Sequence, residues 1–178
     1  MNQTFGLVNE VFGLPAHPLL VHVPVVLIPL AFIGLILITV RPKLKSSLLL
    51  PTAAVGFVGV LGAILASEAG EWLQARVDES NLIEQHAELG EMSVNLSIAF
   101  GLVLVLLAAR YLLVERKLTG ENAVTKILSP AWVGMAATVG ALLFGALATT
   151  WLVRTGDSGA KSVWDGKVSD TPRPGAEE

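Results

Sequence analysis

The sequence contains no cysteine and only a small share of charged residues. Without cysteine there are no protein thiolates for iron–sulfur clusters, no thioether attachment of haem and no disulfide bonds. Any metal ion must therefore be bound by nitrogen and oxygen atoms. Only 15% of the residues are charged, whereas about a quarter are charged in a typical soluble domain. Together with 53% hydrophobic residues, this low charge excludes an ordinary soluble protein and indicates a membrane protein.

Four apolar runs are long enough to cross a bilayer, since a membrane-spanning helix needs about 20 residues. The runs do not alternate with period two, as transmembrane β-strands do, and helices are the remaining way to satisfy the backbone in lipid. The sequence therefore predicts an all-α fold, an integral membrane four-helix bundle. The predicted spans are residues 19–40, 48–67, 92–114 and 131–153.

These spans divide the chain into three predicted parts. Residues 19–160 form the transmembrane four-helix domain. Residues 1–18 form an apolar leader without a cleavable signal, and either a segment lying along the bilayer surface or a frayed terminus fits it equally well. The glycines of "RTGDSGAKSVWDG" after the last span predict an exit loop. Residues 161–178 are rich in proline, glycine, serine and charge, which predicts a mobile polar tail.

The distribution of lysine and arginine near the span ends predicts the orientation. The connection over residues 68–91 contains Arg76 as its single lysine or arginine and is otherwise acidic. The other two connections are basic, which predicts both termini on the outer side of a bacterial plasma membrane. The basic residues after the last span argue against this orientation. They are Arg154, Lys161, Lys167 and Arg173. The basic residues of the other two connections are Arg41, Lys43, Lys45, Arg116, Lys117 and Lys126.

All three histidines fall in the outer half of the predicted bundle. Counting about 20 residues of 1.5 Å rise from the inner span ends places His22 at the outer boundary. The same count places His17 about one turn outside it and His86 about 12 Å outside it. Any chemistry is therefore expected at the outer mouth of the bundle. The predicted polar network in this layer consists of Glu68, Glu88, Glu91, Arg154 and Asp157.

His17 and His22 stand together in the motif "HPLLVHVP". Five residues correspond to about 140° around a helix, so on one continuous helix the two side chains would not share a face. Pro18 is a suitable first helical residue, which would leave His17 in the preceding turn, above an inward-pointing His22. His22 is then either a ligand or a hydrogen-bonded plug, and His17 is either a ligand or a helix cap at the interface.

The acidic residues beside the histidines allow two interpretations. Glu88 and Glu91 share one face of the predicted third helix, and Glu68 and Glu71 share one face of the second. These carboxylates would either bind a divalent metal together with histidine or form salt bridges. No H-E-x-x-H metal motif is present. Because an unpaired charge near the bilayer is costly, Glu71 is expected to face the mouth and to pair with Arg154 or a histidine. The predicted metal ligands are His17, His22, His86 and Glu71.

Small residues occur at regular spacing in the second and fourth spans. Such rows let helix backbones approach closely in lipid. They predict tight packing within the bundle, and they would also allow a homodimer. The residues are Gly56, Gly59, Gly62, Ala136, Gly140, Ala141 and Gly145.

Four motifs along the chain, "HPLLVHVP", "EW", "HAELGE" and "RTGDSGAKSVW", resemble a family of four-span bacterial membrane proteins known only as a domain of unknown function. Relatives are often joined to Rieske or c-type cytochrome domains, and the outer histidines are similar to di-histidine b-haem sites of four-helix cytochromes. The resemblance implies redox work at the outer face, with His17, His22 and His86 as the cofactor-binding positions. Many relatives place a histidine in the last loop, where this sequence has Asp157.

Two functions follow from these observations. One is a respiratory or redox-associated membrane protein with a b-type haem or a divalent metal at the outer mouth. The other is a non-catalytic accessory or assembly protein in which histidines and carboxylates form a structural polar network. A transporter is disfavoured, since no charge lies at the midplane and no inverted repeat is visible. The expected partners are the lipid bilayer and a redox membrane protein, and no nucleic acid.

Overall fold

The structure is a computed structural model of the chain, and it describes residues 9–168. Within this range four long helices form a bundle, preceded by a two-stranded antiparallel hairpin. Residues 1–8 of the predicted leader and residues 169–178 of the predicted tail lie outside the described residues. In chain order the elements are β1 (Glu10–Val11), β2 (Leu14–Pro15), α1 (His17–Leu20), α2 (His22–Val40), a 3₁₀ turn (Pro42–Leu44), α3 (Lys45–Gln74), α4 (Asn81–Arg110), a π-helical turn (Tyr111–Glu115), α5 (Ala123–Leu128) and α6 (Ala131–Trp164).

Four helical stretches are long and apolar enough to cross a membrane, and each contains one of the predicted spans. The predicted all-α membrane bundle is therefore confirmed. The side of the membrane that the termini face stays a prediction. The four stretches are His17–Val40, Pro42–Gln74, Asn81–Glu115 and Ala131–Trp164.

Prolines shape the first span. Pro18 lies in the first turn of α1, where its missing N–H group removes no helical hydrogen bond. Pro24 cannot donate to the carbonyl of Leu20 four residues earlier, and the helix is interrupted at Val21. The backbone of Val21 nevertheless has helical dihedral angles, so α1 and α2 continue each other in one span.

The four long helices pack in a closed ring in the order α2, α3, α4 and α6, with the most extensive packing between α4 and α6 and between α2 and α3. The most buried side chains at the centre of the ring are apolar, with the exception of Ser97. Large aliphatic side chains on the outer surface of the ring remain exposed, as expected for helices that contact lipid. The most buried large apolar side chains are Phe100, Ile28, Leu35, Leu49 and Leu104.

Glycines set how closely the helices approach. A Cβ atom at Gly56 would lie 2.5 Å from Leu104 Cδ1, and one at Gly145 would lie 2.5 Å from Phe32 Cδ2. The predicted packing role is therefore confirmed for these two residues. Gly140 differs, because a Cβ there would meet nothing within 4 Å, and the neighbouring Ala136 is exposed. The small residues Ala136 and Gly140 of α6 therefore point away from the bundle.

Helices α3, α4 and α6 are longer than predicted at the same end of the bundle, the end formed by the start of α1, the α3–α4 connection and the end of α6. We call this the histidine end. Helix α4 begins at Asn81, where Ser80 caps it by accepting a hydrogen bond from the Ile83 N–H group. Helix α6 continues to Trp164, so the exit loop predicted for "RTGDSGAKSVW" is wrong and the predicted tail begins as helix. Packing of α6 along α4 outweighs the low helix propensity of its glycines.

The opposite end, formed by residues 41–45 and 110–131, is called the basic end. Glu115 closes the π-helical turn there and accepts hydrogen bonds from Lys45 Nζ at 2.5 Å and Arg110 Nη1 at 2.6 Å. Arg110 Nε also donates to the carbonyl of Leu128 at 3.1 Å. This cluster joins α3, α4 and the α5 segment at one point.

Candidate functional site: a histidine pair

The hairpin β1–β2 places His17 at the histidine end. Its turn consists of Phe12 and Gly13, both with positive φ, and the N–H group of the buried Ala16 donates to the carbonyl of Asn9 at 2.9 Å. Helix α1 then begins at His17 itself. The chain therefore enters the bundle with the His17 ring directed toward α3.

The His17 ring packs against α3 through one hydrogen bond and one glycine. Its Nδ1 atom lies 2.8 Å from the carbonyl oxygen of Ala66. A Cβ atom at Gly70 would lie 2.9 Å from the same Nδ1 atom. The ring is half-buried, and the absence of a side chain at Gly70 gives it the space it occupies.

His86 lies against α6 in the same manner. Its Nδ1 atom is 3.0 Å from the carbonyl oxygen of Thr155 and 3.1 Å from Ser158 Oγ. A Cβ atom at Gly159 would lie 2.8 Å from Cε1 of the ring. His86 is thus held by a residue pair one turn apart on α6, next to a glycine that leaves room for the imidazole.

The two imidazoles lie next to each other at the histidine end, in a T-shaped arrangement. Their ring centroids are 6.0 Å apart, and the ring planes are inclined by 81°. His17 belongs to α1 and His86 to α4, while their hydrogen-bond partners belong to α3 and α6. Four helices of the bundle therefore determine the position of this one pair of side chains.

The hydrogen bonds determine which ring nitrogen carries the proton in the neutral imidazoles. A carbonyl oxygen only accepts, so Nδ1 must be the donor in both His17 and His86. The Ser158 hydroxyl donates to the carbonyl of Thr155 at 2.9 Å, which leaves its oxygen free to accept from His86. The Nε2 atom of each ring then carries a lone pair, which is the form that binds a metal.

A layer of buried hydroxyl groups lies beneath His86. Ser93 Oγ is 2.8 Å from Thr155 Oγ1, and the Ser97 hydroxyl donates to the carbonyl of Ser93 at 2.7 Å. Ser93 and Ser97 are both buried. This layer satisfies its own polar groups between α4 and α6 and supports the segment of α6 that holds the His86 ring.

The family model described as Predicted membrane protein (DUF2231) matches residues 13–172. The chain belongs to this family. No curated protein and no solved structure matches the chain. The matched segment contains both members of the histidine pair and the glycines against which they pack.

Within this family segment, His22 does not join the pair. It is exposed, and its Nδ1 atom lies 3.3 Å from the carbonyl oxygen of Leu19 one turn earlier. The prediction that His22 points into the bundle is wrong. Because α1 begins at His17 and continues into α2, the separation of five positions between the histidines turns His22 to a different face.

The predicted carboxylate network is not formed. Glu71 is exposed and makes no ion pair with Arg154 or a histidine within residues 9–168, so its predicted pairing is wrong. Arg154 lies over the ring of Trp151, at 5.0 Å from the centroid. Asp157 pairs with Lys161 of its own helix at 2.6 Å. Glu68, Glu88 and Glu91 are likewise exposed.

The four predicted metal ligands, His17, His22, His86 and Glu71, do not come together as one site either. In the part of the chain that the structure describes, no three histidine or acidic side chains come together as a group able to hold a metal ion. Solvation in water explains this arrangement, since exposed carboxylates at a helix end need no partner. The histidine pair remains as the centre of the candidate site.

Four residues of the site were missed by reasoning from the sequence: Thr155, Ser158, Gly70 and Gly159. Ser158 and Gly159 follow Thr155 by about one helical turn, so the three residues share one helix face. This face would have been recognised if the last predicted span had extended past residue 153. The glycines of "RTGDSGAKSVW" favoured a loop instead.

Proposed function

We propose that the protein is an integral membrane haem protein of the bacterial plasma membrane, in which His17 and His86 would hold a b-type haem. The haem would serve electron transfer with a respiratory or redox membrane partner. The observation that carries this proposal is the pair of imidazoles at 6.0 Å, each with Nδ1 bonded to a backbone carbonyl of another helix. This arrangement leaves both Nε2 atoms available as ligands.

The separation of the rings supports one shared metal ion. Two imidazoles that bind an ion through nitrogen at about 2.0–2.1 Å have ring centroids roughly 5–6 Å apart, the larger value applying when they bind from opposite sides. His17 and His86 lie at the upper end of this range, with centroids 6.0 Å apart.

The number of donors favours haem over an ion bound by protein alone. A structural zinc ion takes four protein ligands, usually histidine and cysteine. The chain has no cysteine, and the described residues offer the ion no group of three or more histidine or acidic ligands. A haem iron takes its four equatorial nitrogens from the porphyrin and needs only two from the protein.

The residues around the pair would tune such a centre. A bound haem supplies one-electron redox chemistry. The carbonyls of Ala66 and Thr155 fix the ring orientations and raise the basicity of the ligand nitrogens, as outer hydrogen-bond partners do for metal-bound histidines. The close contacts with Gly70 and Gly159 limit rotation of the rings. Burial among the helix ends lowers the local dielectric constant, which alters the reduction potential.

A second function has support from the same bonds. His17 joins α1 to α3, and His86 joins α4 to α6. These bonds stabilise the histidine end without any cofactor, as an accessory or assembly protein with a polar network would require. In this alternative the rings act as helix cross-links.

The absorption spectrum of the purified full chain distinguishes the two functions. We expect a Soret band, one haem per chain by pyridine haemochrome assay, and loss or shift of the band in His17→Ala and His86→Ala. His22→Ala is the matched control, because His22 lies outside the pair, and its spectrum should equal that of the wild type.

Helicity of each variant should be checked by circular dichroism, so that loss of the band is not loss of the fold. Folded protein that is expressed with haem supplied but contains no haem would overturn the haem proposal, and the further absence of stoichiometric iron, copper and zinc would exclude another metal centre. The accessory function would then take its place.

A further inference from the structure

The connection between α4 and α6 at the basic end contains a helix with an unpartnered apolar face. Thr125 and Leu128 of α5 are buried against the bundle. Val124 and Ile127 point the other way and are 52% and 70% exposed. The bundle therefore covers one face of the helix and leaves the apolar face of Val124 and Ile127 uncovered.

Specific contacts hold this helix in a fixed orientation. Asn122 caps it, since its Oδ1 atom accepts from the Thr125 N–H group at 3.0 Å, while the Thr125 hydroxyl accepts from the Asn122 N–H group at 2.9 Å. At the other end, Arg110 donates to the carbonyl of Leu128 at 3.1 Å. The outward direction of Val124 and Ile127 is thus determined by the bundle.

Further apolar side chains are exposed beside α5. Leu118 is 67% exposed in the preceding loop, and Trp132 is 66% exposed in the first turn of α6. Tryptophan is enriched where helices pass through the membrane interface. A helix that is held rigidly and displays aliphatic side chains is unfavourable in water, because that area stays hydrated. The arrangement is favourable where the apolar face meets acyl chains.

The charges of the same connection are predominantly positive. Arg116, Lys117 and Lys126 are exposed, and Glu121 is the single acidic residue in the segment 116–130. Glu115, which precedes it, is already paired with Lys45 and Arg110. Basic side chains next to an apolar helix face are complementary to the phosphate groups of an anionic leaflet.

We propose that α5 is an interfacial helix that binds the anionic lipid leaflet at the basic end of the bundle. Val124 and Ile127 enter the acyl boundary of the leaflet, and Arg116, Lys117 and Lys126 contact lipid phosphates. This leaflet belongs to the same bilayer in which the bundle is embedded. Insertion of the four spans therefore brings α5 to the lipid surface. This inference does not depend on haem binding at the other end.

The absence of cysteine makes the test direct, because single-cysteine labelling needs no background removal. The full chain carrying Ile127→Cys is spin-labelled and placed in nanodiscs of phosphatidylglycerol. The accessibility of the label is measured toward oxygen, which concentrates in lipid, and toward a neutral water-soluble nickel chelate. We expect the ratio of the first to the second to be several-fold higher at residue 127 than at the control Glu121→Cys. Val124→Cys serves as a second apolar position if the first variant does not fold.

Charge dependence is tested in the same nanodiscs. The double substitution Lys117→Gln with Lys126→Gln should move the label at residue 127 toward water, and so should replacement of phosphatidylglycerol by phosphatidylcholine. The matched control, Lys161→Gln with Lys167→Gln at the histidine end, should leave the ratio unchanged.

Two results would overturn the proposal. One is a label at residue 127 that the nickel reagent reaches equally in both lipids. The other is a label shielded from both reagents only when several copies occupy one nanodisc, which would assign the face to a second copy of the chain.

Discussion

The imidazole of His86 lies so close to Gly159 that a Cβ atom at residue 159 would come within 2.8 Å of Cε1 of the ring. Gly70 has the same relationship to His17, at 2.9 Å from Nδ1. In each case the glycine belongs to a helix other than the one that carries the histidine. The position of the histidine pair is therefore sensitive to any atom added to the facing helices.

Gly159→Ala should displace the His86 ring and lower stability relative to its control Gly156→Ala. A Cβ at Gly156 meets nothing within 4 Å, so alanine there should raise the free energy of unfolding by about 0.5–1 kcal/mol through helix propensity. At Gly159 the clash offsets that gain. Thermal denaturation in detergent, followed by circular dichroism, measures the difference. Equal increases in the two variants would contradict the close packing of His86.

Gly145→Ala should destabilise the bundle by about 1–3 kcal/mol, the usual cost of overpacking a core. The added Cβ would lie 2.5 Å from Phe32 Cδ2 and 2.9 Å from Phe100 Cε2, and the buried Phe100 cannot move freely. Gly140→Ala is the control on the same helix, since its Cβ is in open space. The denaturation midpoint should fall for the first variant and stay or rise for the second. A shift in oligomeric state in the second alone would support a homodimer through that face.

Glu115→Gln should lower the denaturation midpoint, because it removes ion pairs with Lys45 at 2.5 Å and Arg110 at 2.6 Å. The Arg110 side chain is only 14% exposed, so without Glu115 its positive charge would lack an acidic partner at a position poorly reached by water. We expect a cost of about 1–2 kcal/mol, above the range of about 0–1 kcal/mol for exposed pairs. Asp157→Asn breaks an exposed pair with Lys161 and should change the midpoint little. Similar shifts in both variants would show that the cluster adds nothing beyond a surface pair.

An impermeant amine-reactive label applied to intact cells should modify Lys161 and Lys167 and spare Lys43 and Lys117. This result follows from the predicted orientation, with the basic connections in the cytoplasm. All four lysines are exposed on the protein, so the bilayer is the main barrier to the reagent. Mass spectrometry of tryptic peptides measures the modification. The reverse pattern would place the histidine pair on the cytoplasmic side.

Some features of the candidate site follow from linear distance along the chain. The layer that contains His17 and His86 follows from counting helical rise, which depends only on 1.5 Å per residue. The exclusion of His22 from the pair depends on whether the helix starts before or after His17. A shift of one residue along a helix turns a side chain by about 100°. Sequence patterns do not locate the start of a helix to within one residue.

The partners of the histidines could not be obtained in the same way. The carbonyls of Ala66 and Thr155 lie 49 and 69 residues away along the chain from their histidines. Every residue has a carbonyl, so no side-chain pattern identifies which one accepts a bond. Because glycine has a low helix propensity, the sequence also did not show that α6 continues past Arg154. This continuation places Ser158 next to the His86 ring.

The sequence by itself determined that this protein spans a membrane with four helices, because hydrophobic length is a property of each segment alone and lipid requires a helical backbone. It also determined that the charged and polar groups gather at the two ends. Only the tertiary structure decided that His17 and His86 form the pair while His22 and Glu71 remain exposed. Helix rotation and close approach at Gly70 and Gly159 control that outcome, and both arise from packing between segments distant in sequence.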